Sequence, residues 1–147
     1  MTATAPDYDE IVRVVQLYVD GFNDCDISKF REAFHEDAWI FFTDPDGVLH
    51  KHLLADVFPE WASPPPAKIA GRFISVTQAG DIACVLLGFD DMSVSDPSQR
   101  HLTSWVDFHT LLRINGVWKI TNKTATHATR AGWAADQHAK RKEATVA

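Results

Sequence analysis

The sequence predicts an α+β domain in which helices cover one face of an antiparallel β-sheet. Three observations predict it. The first 34 residues carry apolar side chains at helical spacing, and from residue 69 the chain divides into strand-like runs separated by short polar turns. Asn115-Gly116 stands between two such runs, where a type I′ turn needs positive φ at both central residues and Asn-Gly supplies it. Helices first and strands afterwards is an α+β order and disfavours a parallel doubly wound sheet.

In chain order, Asp7 reads as the N-cap of a first helix, with Glu10 three residues on as a variant capping box. Ile11, Val14, Val15, Tyr18 and Phe22 then fall on one face. Gly21 weakens the last turn, Asn23 to Asp26 break it, and Asp26 caps a shorter helix carrying Ile27, Phe30 and Phe34. His35 reads as a cation at that helix's C-terminus. Ala38 to Thr43 is a strand ended by Asp44-Pro45-Asp46-Gly47, a tight-turn sequence. Leu53, Leu54, Val57, Phe58 and Trp61 recur at helical spacing until Ser63-Pro64-Pro65-Pro66 stops the helix. Ile69 to Gln78, Ile82 to Met92 and His101 to Ile114 are strand-like, and Val117 onward closes the hairpin. Residues 1–6 are expected to be disordered, 7–127 to form the single domain, and 128–147, with Trp133, to form a tail.

At 147 residues, 46% apolar and 23% charged, the chain fits one globular domain. A net charge of −6 lacks the basic footprint of nucleic-acid or anionic-lipid binding. There is no apolar run of membrane-spanning length and no signal-peptide pattern at the N-terminus, so a soluble, cytoplasmic protein is expected. Cys25 and Cys84 are too few for a disulfide framework and are expected reduced and buried. The histidines match no metal-ligand spacing beyond the weak His50-x-His52 pair, so no metal is expected. Phosphate loops and nucleophile elbows are absent.

The two-residue turn fixes a register that pairs His109 with Asn122, Asp107 with Thr124 and Trp105 with Thr126. One face then carries Trp105, Asp107, His109 and Leu111 with Trp118, Ile120, Asn122 and Thr124. An apolar floor with convergent polar groups is how small-molecule pockets are built. The other face, with Val106, Phe108, Leu112 and Ile114, is apolar enough to be covered by a second subunit, with Lys119 and Lys123 near the rim.

The chain resembles the nuclear-transport-factor-2-like superfamily, and within it the SnoaL-like and "Putative lumazine-binding" branch. The resemblance rests on residues 15–22 followed by Asp26, on Phe34-His35-Glu36-Asp37-Ala38, on Ala79-Gly80-Asp81-Ile82-Ala83, and on residues 111–120 around the Asn-Gly turn. It implies a cone-shaped, curved antiparallel sheet wrapped around the N-terminal helices, in the manner of a cystatin-like roll. Fold does not settle function, since the superfamily holds isomerases, dehydratases, hydrolases, cyclases and binding-only members. Asp107 falls where scytalone-dehydratase-like relatives place a pocket Asn and Trp105 where they place a Ser, whereas the isomerase acid position is occupied by Phe42. Asp44 shares that strand's parity but precedes Pro45 as a turn residue would.

The functional expectation is general acid–base chemistry beside a carbonyl, a dehydration, isomerisation or cyclisation, needing no metal or organic cofactor. His109 serves as base or proton shuttle, Asp107 orients it or is itself the base, and Asn122 and Tyr18 polarise an oxygen. Tyr18 alternatively is a core residue with a satisfied hydroxyl. Trp105, Phe42, Trp118, Phe22 and Thr124 form the remaining pocket wall. The alternative is a protein that binds an aromatic or heterocyclic molecule without changing it.

Overall fold

The computed structural model describes residues 5–44, 46–89 and 104–128. Helix α1 (Ala5–Asn23) buries Ile11, Val14, Val15 and Tyr18 of the expected stripe, whereas Phe22 is half-buried; Val19, outside that stripe, is buried as well. The helix begins ahead of Asp7, which is therefore not its cap. The Asp7 carboxylate instead receives Arg113 Nη1 at 2.8 Å, tying the helix start to the sheet. Cys25, at φ 49°, reverses the chain into α2 (Ile27–Ala33), whose cap is Asp26 as expected: its Oδ1 accepts Ser28 N–H at 2.9 Å. Gly21 has a packing reason, because a Cβ there would come within 2.7 Å of the Phe30 ring that joins α2 to α1.

The six strands are β1 (Phe34–Thr43), β2 (Leu49–Leu53), β3 (Gly71–Ala79), β4 (Ile82–Phe89), β5 (Ser104–Ile114) and β6 (Val117–Ala128), and α3 (Leu54–Trp61) lies between β2 and β3. They form one sheet in the order β2-β1-β6-β5-β4-β3. The pairing of β1 with β6 is parallel and the other neighbouring pairs are antiparallel, so the sheet is not the purely antiparallel one expected. Local periodicity reports which face a strand buries but not which strand it docks on. Strand β1 starts four residues earlier than expected, so His35 lies on β1 and not at a helix end; its Nδ1 accepts the Asp37 N–H at 3.0 Å. Strand β2, unforeseen in the sequence, folds back on β1 through a turn held by Asp44, whose Oδ1 accepts the N–H groups of Asp46 and Val48.

The three helices cover one face, and the core between the layers contains Phe30, Phe34, Leu54, Phe58, Val85, Leu87, Leu111, Trp118 and Ile120. The Asn115-Gly116 turn has φ 51° and 81°, as type I′ requires. Cys25 and Cys84 are free but half-buried, not fully enclosed as expected. No helix among the described residues is long and apolar enough to cross a membrane. The expectations for Asp90 to Met92, for His101 to Thr103 and for the tail beyond Ala128 lie outside the described residues.

Candidate functional site

A bulge decides what faces the interior. From the Asn-Gly turn the register runs as expected to Leu111–Ile120, but the next pair is Thr110–Asn122, leaving Thr121 as the extra residue. Its hydroxyl donates to the Thr110 carbonyl at 3.2 Å. Beyond the bulge every β6 side chain changes face: His109 pairs with Lys123 and Asp107 with Ala125. Asn122 and Thr124 thus stand on the outer face, where Thr124 Oγ1 donates to Asn122 Oδ1 at 3.1 Å, and neither lines the cavity. Lys123, expected at the outer rim, is buried inside.

Between sheet and helices lies a cavity of about 460 Å³, within the range of small-molecule sites. Phe22 of α1, Phe42 of β1, Trp61 of α3, Phe89 of β4 and Trp105 of β5 give it an aromatic wall. His52, Asp56 and Glu60, all exposed, stand at its mouth, while Tyr18, Asp107 and Lys123 supply its inner polar groups. Trp118 is fully buried in the core below and does not line this cavity, contrary to expectation; it packs under the Arg113 guanidinium, 5.2 Å from the ring centroid. Its indole reaches the sheet's core side before the bulge, so it remains in the layer of Leu111 and Ile120.

Asp107 organises the polar group. Its Oδ2 accepts the Tyr18 hydroxyl at 2.8 Å and lies 3.5 Å from Lys123 Nζ and 3.6 Å from His109 Nε2. Lys123 Nζ also stands 4.8 Å from the Trp61 ring centroid and 5.1 Å from that of Tyr18. Burial by itself would raise the Asp107 carboxyl, but the Lys123 ammonium, His109 and the Tyr18 hydroxyl outweigh it and hold the group below the usual carboxylate range. Burial lowers Lys123, an effect its pairing with Asp107 only partly offsets. Burial and the neighbouring carboxylate push Tyr18 well up, so its hydroxyl stays protonated as a donor. His109 is lowered by burial, against the opposing pull of Asp107, and is neutral at pH 7.

Three buried atoms here have no hydrogen-bond partner: Asp107 Oδ1 and both ring nitrogens of His109. Buried polar atoms are rarely left so, and an ionised carboxylate with a free oxygen beside a cavity is able to accept a proton from what enters. His109 does not itself line the cavity; it lies behind Asp107 with its ring against Tyr18, centroids 5.1 Å apart. Its neutrality has a consequence for folding. Between its lowered folded value and about 6.5, the unfolded chain binds a proton that the native state refuses, so stability falls on acidification through that window by up to about 1.4 kcal/mol per pH unit. His109→Met should flatten this part of a urea-denaturation series taken across pH; an unchanged slope would show that His109 is not its source.

His50 and His52 stand side by side on β2, with ring centroids 6.3 Å apart. His50 bonds Asp44 Oδ2 at 2.9 Å and stacks on Phe42, with ring centroids 4.8 Å apart. Among the described residues, His35, Glu36 and Asp37 bring potential ligand atoms within 4.8 Å of one another, but none of them lines the cavity.

The sequence profile described as "Putative lumazine-binding" matches residues 6–125. Among curated proteins, none matches the chain. A solved NTF2-like protein of unknown function from Shewanella baltica is similar at 26% identity and TM-score 0.70, over 85% of this chain and 96% of its own. A ketosteroid isomerase-like protein from Erwinia carotovora atroseptica shares the fold at 14% identity and TM-score 0.61, over 84% of this chain and 98% of its own. So does a Nostoc punctiforme protein of cystatin-like fold, at 16% identity and TM-score 0.66, over 86% and 95%.

Proposed function

Since the chain belongs to the "Putative lumazine-binding" family of the nuclear-transport-factor-2-like superfamily, we propose that its cavity takes a hydrophobic carbonyl compound and moves a proton on the carbon next to the carbonyl. The observation that carries this reading is the ionised Asp107 on the cavity wall, with one oxygen unpartnered and Tyr18 and Lys123 converging on the other. Asp107 is the base. The Lys123 ammonium is the donor that favours charge on a substrate oxygen, and the Tyr18 hydroxyl, whose one proton goes to Asp107 Oδ2, holds the base in place. His109 is a positioning residue: neutral and enclosed, it backs Asp107 and Tyr18 and does not reach the substrate. Dehydration, isomerisation and cyclisation all begin with this proton transfer, so the assignment reaches the first step and not the product.

The test uses 2-tetralone, an aromatic bicyclic ketone with acidic hydrogens beside its carbonyl, incubated with the protein in D2O. Exchange of those hydrogens well above the buffer rate, followed by NMR, is the expected result. The second reading, a binder that leaves its ligand unchanged, is favoured by the aromatic wall. It predicts saturable quenching of tryptophan fluorescence with exchange at the buffer rate.

The outer face of the sheet supports a homodimer as its assembly. Trp39, Ile74, Phe108 and Leu112 are exposed there, and large apolar side chains grouped on a sheet face mark an interface. Light scattering at micromolar concentration should give twice the chain mass, and Phe108→Glu should give the monomer. A wild-type monomer would remove the assembly from the proposal.

A further inference from the structure

Lys123 holds its ammonium out of bulk water, beside a carboxylate and two aromatic rings. Its side chain is 7% exposed and lines the cavity, its Nζ stands beside the Trp61 and Tyr18 rings, and Asp107 Oδ2 is 3.5 Å away. A surface lysine would keep its ammonium in water, and a cation needed only to neutralise Asp107 would serve better as an arginine, whose fork can engage both carboxylate oxygens. Here one of those oxygens has no partner at all. What lysine offers and arginine does not is a primary amine that can become neutral and form a bond to carbon.

We propose that Lys123 is an imine-forming residue: an aldehyde or ketone in the cavity condenses with Nζ, while Asp107 transfers the protons. This deepens the functional reading above and rests on its premise that the cavity admits a carbonyl compound. The ammonium first yields a proton to Asp107. The freed lone pair adds to the carbonyl carbon, a C–N bond forms, and the C=O π electrons pass to oxygen, which takes the proton back from Asp107. The carbinolamine nitrogen then gives up a second proton to the leaving hydroxyl. C–O breaks, C=N forms, and water departs. The balance is ammonium plus carbonyl giving iminium plus water, with no oxidant or reductant. Asp107, again a carboxylate, can then remove a hydrogen from the carbon beside the iminium, which is a stronger acid than the parent ketone. Burial favours the neutral amine that the first step needs. The titratable groups facing Nζ are Asp107, His109 and Tyr18, with His52, Asp56 and Glu60 at the cavity mouth.

The wild-type protein is incubated at pH 7 with 2-naphthaldehyde and sodium cyanoborohydride, which reduces an iminium to a stable secondary amine. Peptide mass mapping then locates the naphthylmethyl group. The expected result is labelling of Lys123 at about ten times the rate of the exposed Lys51 and Lys68, because an aldehyde held in the cavity meets Nζ at a high effective concentration. Labelling that follows exposure, with Lys123 unmodified, overturns the proposal. Saturable quenching of tryptophan fluorescence by 2-naphthaldehyde is measured in parallel. Quenching without Lys123 labelling sinks the covalent step alone; neither quenching nor labelling sinks both it and the premise of an admitted carbonyl compound. Lys123→Arg, with its fold checked by circular dichroism, should lose the trapped adduct while the exposed Lys51 and Lys68 are labelled as in the wild type. Where that variant fails to fold, the wild-type peptide map still decides.

Discussion

Lys123→Met should lower the unfolding free energy by about 3–5 kcal/mol at pH 7, because it removes one member of a buried ion pair and leaves Asp107 charged in a place that water does not reach. The ammonium is the largest of the influences that keep that carboxyl low against its burial. Without it, burial is opposed only by His109 and the Tyr18 hydroxyl, and the folded carboxyl rises. In the wild type, the folded Asp107 is depressed, so its contribution is present above about 3.9 and is lost as pH falls through the depressed folded value. In the variant the folded carboxyl takes up a proton more readily than in the wild type, so acidification narrows the stability gap between the two proteins. Asp107→Asn combined with Lys123→Met should recover most of the loss, since no buried charge is then left alone. Urea denaturation of the single and double variants at pH 7 and pH 5 tests all three statements. Equal midpoints for wild type and Lys123→Met would mean that the pair is solvated and that the low-dielectric site does not exist.

The residue on which this prediction turns is also the one that the sequence misassigned, and the reason is a single inserted residue. The helical stripe of α1, the Asp26 cap and the Asn-Gly turn are signals carried by contiguous residues, so they can be read directly. The inward direction of Asp107 and His109 follows from strand alternation on β5, which is unbroken between them and the turn. On β6 alternation fails at Thr121, and a period of two turns one extra residue into a change of face for all that follow. Strict alternation therefore turns Asn122 and Thr124 inward and Lys123 outward, the reverse of what forms. A usable signal was present: the expected register turned Lys123 and Thr121 outward and placed three polar residues, Asn122, Thr124 and Thr126, on the enclosed face. A bulge leaves one charge to bury, and that charge finds Asp107. The parallel docking of β1 on β6 and the existence of β2 were not legible, because both depend on contacts between segments far apart in the chain.

Asp107→Asn should slow the exchange of 2-tetralone hydrogens by about 10²–10⁴-fold, the usual contribution of a positioned general base. The substitution is nearly isosteric, and its amide oxygen can still accept the Tyr18 hydroxyl that Oδ2 accepts at 2.8 Å. What it cannot do is take a proton. Binding and chemistry should separate accordingly: the 2-tetralone concentration that half-quenches tryptophan fluorescence should change little, while the exchange rate at saturation collapses. The pH profile gives an independent reading. Wild-type exchange should lose activity on the acid side only below the ordinary carboxylate range, where the depressed Asp107 finally protonates, and this limb should be missing in Asp107→Asn. Moving the base should be nearly as damaging as removing it. Asp107→Glu pushes the carboxylate one methylene further from the strand, and the fixed distances from Tyr18, Lys123 and His109 cannot all be kept. Full exchange activity in Asp107→Asn would transfer the proton chemistry to another group or to solvent. The same cavity would then be a binding site whose buried charges serve recognition alone.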